Sequence, residues 1–218
     1  MSTKDNMTLQ HSSCDNATIR MEDVDLYAFF RLLLEKPGPD RRSLVMDKQT
    51  SSLLSEVADY LHVADVQGVD QPASIEEAES SYLSLFEVGL PAPPCPLNES
   101  PYNRTAPPTK LIHENLLFYK AFGLDLKTEN TELPDHICNQ LEFLSYLTRL
   151  QEQSADAESV APILAGKRDF VERHVLSWVP AVGRKLKELD ERLYAPILEL
   201  LEAYVRLDLD KCGSDTQI

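Results

Sequence analysis

The chain has 218 residues, 43% of them hydrophobic and 26% charged, a globular balance that excludes wholesale disorder and leaves room for a sizeable core. It has 36 acids against 21 Lys and Arg, so the net charge is −15. That excludes a protein that grips nucleic acid or anionic lipid by bulk charge, because both need a basic face.

Residues 1–21 are polar and hold no apolar run of signal-peptide length. A flexible polar N-terminus is expected there, then one all-helical domain over 22–210 and a flexible tail over 211–218. No stretch of 18 apolar residues occurs, so no membrane span is expected. Cys14, Cys95, Cys138 and Cys212 lie far apart. They lack the spacing of a zinc site or a redox dithiol, and scattered thiols suit a reducing cytoplasm. Arg41-Arg42 is internal and reads as an exposed helix start. Asn16-Ala-Thr18, Asn98-Glu-Ser100 and Asn103-Arg-Thr105 match the glycosylation pattern and, without a secretion signal, read as chance matches.

The periodicity is helical almost throughout. Leu26, Phe30, Leu33 and Leu34 share one helical face, and Lys36-Pro37-Gly38-Pro39 stops that helix. Leu44 to Leu61 reads as a second helix. Ile75, Ala78, Tyr82, Leu85 and Phe86 place a third over 74–87. Ile112, Leu116 and Tyr119 mark another, ended by Gly123, and Ile137, Leu141, Leu144 and Leu147 one over about 134–151. Phe170, His174 and Trp178 line a further helix and belong to the core. Leu193, Ile197, Leu200, Tyr204 and Leu207 step by four and three along a terminal helix. No alternating strand pattern appears. The expected architecture is all-α, a single-domain bundle of about 8–10 helices, since each apolar stripe must be buried against another.

Two stretches break the pattern. Residues 88–109 hold 7 of the 14 prolines, so they cannot form helix or central strand. Such a long connection is a candidate functional loop as well as a stiff spacer. Second, no Lys or Arg occurs from Gln49 to Asn103, while that stretch carries Glu56, Asp59, Asp65, Asp70, Glu76, Glu77, Glu79, Glu87 and Glu99. One part of the molecule is expected to present a negative surface, either to attract basic partners or simply to stay solvated.

Catalytic and phosphate-cradling motifs are absent: no GxGxxG, no Walker loop, no GxSxG and no HExxH. Asp135 and His136 are adjacent in sequence, so on a helix they point about 100° apart and do not relay a proton to each other. Asp135 near a helix N-terminus suits the helix dipole, and a carboxylate at a cleft edge equally suits an arginine.

Three stretches resemble the TorD/DmsD/NarJ family of molybdoenzyme maturation chaperones. Tyr82-Leu-Ser-Leu85-Phe86 with the loop Gly89-Leu-Pro-Ala-Pro-Pro94 and Glu99-Ser100-Pro101-Tyr102 is the first. Leu133-Pro-Asp-His136 followed by Gln140-Leu-Glu-Phe-Leu144 is the second, and Phe170-x3-His174-x3-Trp178 the third. Phe118-Tyr119-x2-Phe122-Gly123-Leu124 is similar to the branch serving type II dimethyl-sulfoxide-reductase-like enzymes. Two departures lie in the loop: Cys95 follows the double proline where many relatives have Trp, and Pro101 interrupts a usual Ser-Val/Ile-Tyr.

The resemblance implies a cytoplasmic, non-enzymatic protein without a cofactor of its own. It would bind the apo catalytic subunit of a molybdopterin oxidoreductase, often at its twin-arginine signal peptide. It would hold that subunit for molybdenum cofactor insertion and delay export until loading. Tyr82, Leu85, Phe86, Pro93, Pro94, Glu99, Tyr102, Pro134, Asp135 and His136 are the expected peptide-binding residues. Asp135 is the first candidate for an arginine partner, and Glu99 the second. The alternatives are the same fold gripping a mature region of its client, a small helical hydrolase or nucleotide-binding protein, and a generic acidic adaptor. Monomer and dimer both remain open.

Overall fold

The computed structural model describes residues 21, 24–38, 44–63, 69–126 and 132–214. Residues 1–20, the Arg41-Arg42 pair and residues 215–218 lie outside them.

Eight α-helices form among the described residues: α1 Leu26–Leu33, α2 Lys48–Tyr60, α3 Ile75–Tyr82, α4 Pro108–Ala121, α5 Ile137–Gln153, α6 Ala157–Phe170, α7 Val179–Glu188 and α8 Tyr194–Ser214. No strand accompanies them there, and an antiparallel bridge joins Asn98 to His136. Side-chain caps set the starts. Asp25 accepts from the Ala28 N–H, Asp47 from Gln49, Ser74 from Glu77 and Asp156 from Ser159, and each such cap is worth ~1 kcal/mol. The terminal helix continues through residue 211, the expected start of the tail, as far as Ser214.

Two helices are prolonged by a π turn. After α3 the chain bonds Val88 N–H to Leu83 O at 2.7 Å, and after α6 Leu176 N–H to Val171 O at 2.9 Å. The expected helix through Phe170, His174 and Trp178 is therefore two elements. The π turn ends at Val175, and Trp178 occupies the cap of α7 in a non-helical conformation. All three side chains are buried as expected. At the other end of the proline-rich segment, Pro108 opens α4. A proline at the first helical position has no hydrogen bond to lose, so the segment's last prolines do begin a helix.

α1 packs along α5 and α7 along α8. Leu26, Phe30 and Leu33 meet Leu141, Leu144 and Leu147 in one continuous core that also holds Trp178, Tyr194, Ile197 and Leu201. Each such side chain contributes ~1.5–3 kcal/mol on full burial. Where α6 crosses α4's end, a Cβ on Gly166 would strike the Phe122 ring, so a larger residue there would force the ring aside. A lysine–aspartate pair joins the helices from within. Lys167 Nζ stands 2.7 Å from Asp208 Oδ2, the Tyr27 hydroxyl donates to the same oxygen at 2.6 Å, and Lys167 also reaches the Thr148 hydroxyl at 3.0 Å. This network ties α6, α8, α1 and α5 together.

Candidate functional site

The proline-rich segment 88–107 leaves the first π turn and wraps over the ends of α4, α5 and α7. Backbone bonds fix its course. Cys95 N–H donates to Leu85 O at 2.8 Å, Ile137 N–H to Leu97 O at 2.9 Å and Glu99 N–H to Asp135 O at 3.0 Å. A Cβ on Gly89 would collide with the Ala92 carbonyl, so the loop can fold back there only on glycine.

Its inner face is polar and sealed. Glu99 is 0% exposed. Its carboxylate accepts from Asn103 Nδ2 at 2.6 Å, Asn115 Nδ2 at 2.9 Å, Gln140 Nε2 at 3.0 Å and His174 Nδ1 at 3.0 Å. Trp178 Nε1 donates to Gln140 Oε1 at 3.1 Å and holds that amide in the orientation that presents its NH2 group to Glu99. An ionised carboxylate accepting from Nδ1 requires the proton on that nitrogen, which leaves the buried Nε2 without a partner among the described residues. Charge-assisted bonds of this kind contribute about 1.5–3 kcal/mol each. The second π turn carries His174 into this cluster, between the Phe118 and Phe170 rings.

The Pro-Asp-His corner is the loop's second fastening. Asp135, also 0% exposed, accepts from Asn98 Nδ2 at 3.2 Å and Ser100 N–H at 3.0 Å. The Pro134 carbonyl accepts from the Tyr119 hydroxyl at 2.7 Å. His136 caps α5, its Nδ1 accepting from the Cys138 N–H at 3.3 Å. Burial pushes the His136 pKa down, against the opposing pull of Glu132, Asp135 and Glu87.

The expected peptide-binding residues therefore divide. Asp135 and Glu99 do not present a free carboxylate to an arginine, because internal donors occupy both and neither reaches the surface; their role in this fold is to fasten the loop. Tyr82 and Phe86 are likewise core residues. Tyr82 donates to Leu34 O at 3.2 Å, and Phe86 packs edge-on to Tyr194 at 4.9 Å between centroids. His136 is buried as well. Leu85, Pro93, Pro94, Tyr102 and Pro134 are half-buried and remain partly accessible.

Two surfaces are open beside this sealed corner. One is an acidic rim. Glu87 and Glu132 both act on Tyr82 and on His136, and Glu132 and Glu142 both act on Cys138, whose thiol burial pushes up to about 12. Lys36 pairs with Glu87 at 2.9 Å at its edge. The same stretches carry large exposed apolar side chains: Val88, Leu90 at 100% exposure, and Leu133. The other surface is a groove of about 430 Å³ between the loop's outer face and α7, lined by Ala92, Pro93, Pro96, Pro101, Tyr102, Ala181, Arg184, Lys185 and Glu188. Tyr102 stacks on Trp178 beneath it, 5.8 Å between centroids and 23° between planes. Among the described residues, no cluster of three or more His, Cys, Asp or Glu could hold a metal, and no helix is long and apolar enough to cross a membrane.

Asn103, Asn115, Gln140, Arg184 and Lys185 are the residues that sequence reasoning missed. Asn103 appeared there only inside a glycosylation match. The two cations could have been found as a basic cluster, Arg-Lys-Leu-Lys, at the end of a helix in an acidic chain.

The sealed corner and its loop are the segments on which the resemblance was drawn, and comparison with known proteins agrees. The nitrate reductase delta subunit family model matches residues 45–184. The chain belongs to this family. It is 28% identical to a perchlorate reductase assembly chaperone of Dechloromonas aromatica, over 87% of this chain and 82% of that one. It is 35% identical to a selenate reductase assembly chaperone of Thauera selenatis, over 62% of this chain and 72% of the relative. A chlorate reductase assembly chaperone of Ideonella dechloratans is 34% identical over 68% and 77%. All three names are those of assembly chaperones and none is that of a catalyst, in agreement with the non-enzymatic reading and with the branch to which the sequence was assigned.

Proposed function

We propose that this member of the nitrate reductase delta subunit family is a cytoplasmic chaperone for the apo catalytic subunit of a molybdopterin oxidoreductase. It holds that subunit for cofactor insertion and engages its twin-arginine leader until loading is complete. The reading rests on the branch of assembly chaperones to which the chain is similar and on one structural observation. Exposed Val88, Leu90 and Leu133 follow Glu87 and Glu132 within three positions, on the two stretches that frame His136.

A leader of this type presents two guanidinium groups and then an apolar run. Acids beside exposed leucines match that order, with the charges steering approach and the apolar side chains supplying contact area. Each exposed ion pair contributes only about 0–1 kcal/mol, so the apolar contact carries most of the affinity. Bond-making plays no part.

The test is calorimetry with a synthetic peptide carrying two arginines followed by an apolar run, against the same peptide with both arginines replaced by glutamine. Wild type should prefer the arginine peptide, and Glu87→Lys/Glu132→Lys should lose at least tenfold in affinity with circular dichroism unchanged. Equal affinity of the folded double variant would overturn the acidic rim as the leader site.

A further inference from the structure

The groove along α7 is basic in a molecule whose net charge is −15. Arg184 and Lys185 stand on its edge, exposed, and neither makes an ion pair among the described residues. Lys187, on the same turn, is paired with Glu199 at 2.8 Å. The dipole of α7 favours cations in its last turn, but its end carries only about half a charge. With Glu188 the one acid on the groove, a net positive charge is left over. That local charge favours an anionic occupant over a cationic leader.

The walls narrow the occupant further. Pro93, Pro96 and Pro101 have no backbone N–H, and Tyr102 presents its ring. A phosphate site needs several convergent donors, and this groove offers proline and tyrosine faces instead. Such faces accept apolar side chains of a peptide.

We propose that this groove binds an acidic segment with interspersed apolar residues from the mature part of the client subunit, while the acidic rim takes the cationic leader. The inference rests on the client-binding role proposed above. Two modest contacts on one polypeptide reinforce each other, because the first raises the effective concentration of the second. A chaperone built this way grips a client strongly only while leader and mature segment are both accessible.

The experiment uses fluorescence anisotropy on the full chain with two labelled 12-residue probes. One alternates Glu with Leu and Phe, and the other carries Lys in place of every Glu. The groove variant is Arg184→Glu/Lys185→Glu. The control is Lys120→Glu/Arg149→Glu, which makes the same charge change at exposed positions of α4 and α5. Wild type and control should bind the acidic probe alike, and the groove variant should bind it at least tenfold more weakly while keeping its circular dichroism and its affinity for the arginine leader peptide. Three results overturn the inference: no binding of the acidic probe by wild type, equal weakening in control and groove variant, or displacement of the probe by micromolar inorganic tripolyphosphate. Loss of self-association in the groove variant, seen by sedimentation without loss of probe binding, would reassign the groove to a second copy of the chain. Failure of the leader peptide alone would count against the acidic rim and leave this inference standing.

Discussion

On its inner face the proline-rich loop buries a carboxylate that accepts from four side chains. On its outer face it lays Pro93, Pro96, Pro101 and Tyr102 along an open groove and sends Leu90 fully into solvent. One stretch of chain thus carries a fastening and a contact surface back to back. Prolines need no backbone donors satisfied, so they can face outward, while the residues with hydrogen-bonding side chains, Asn98, Glu99 and Asn103, turn inward. Stability and recognition should therefore respond to different substitutions within a few residues of each other.

Glu99→Ala should break the inner face hardest. It takes away the acceptor shared by Asn103, Asn115, Gln140 and His174, and only the three amides keep a second one. A loss of more than about 3 kcal/mol is expected, as breaking this buried network removes several bonds of about 1.5–3 kcal/mol each, read as a lower urea midpoint. An unchanged midpoint would mean the loop is held elsewhere.

Asp135→Asn is milder. The Ser100 N–H faces an amide that can still accept at one oxygen, so about 1–3 kcal/mol should be lost. Any weakening of leader binding should follow the loss of stability and not exceed it. A stable variant with selectively lost affinity would return Asp135 to the list of direct contacts.

His136 sharpens the comparison through pH. Its folded pKa lies below the unfolded value near 6.5, so between the two the unfolded chain binds the extra proton. Its contribution to stability is present above about 6.5 and lost as pH falls through the folded value, because a protonated Nδ1 cannot accept from Cys138. His136→Asn should flatten that part of a stability–pH profile.

The smallest effect on stability belongs to the outer face. Leu90→Ser should move the midpoint by no more than about 0.5 kcal/mol while weakening the leader peptide several-fold in the same calorimetric assay. A variant that lost stability without losing affinity would invert the assignment of the two faces.

The sequence was most legible where one apolar stripe runs unbroken, as in α1, α3, α5 and α8. α6 escaped it because Lys167 occupies a core-facing position among Ile163, Leu164 and Phe170. A charged residue there reads as surface, and only its distant partner Asp208 explains it. α7 escaped because Pro180 looks like a breaker, yet at the first turn it begins the helix. The site was located but not oriented. Sequence spacing placed Glu99 and Asp135 at the loop and corner, but whether a carboxylate faces water depends on donors supplied by Asn115, Gln140 and His174. Those lie 16, 41 and 75 positions from Glu99. No local pattern encodes that convergence.

Trp178, the one tryptophan of the chain, donates to Gln140 within the Glu99 cluster and lies under the Tyr102 ring that lines the groove. A single indole is thus coupled to the inner fastening through one hydrogen bond and to the outer contact surface through one stacked ring. Its emission is a built-in optical gauge of both, so the arrival of a polypeptide on the outside and any slackening of the inside can be followed in the unlabelled protein.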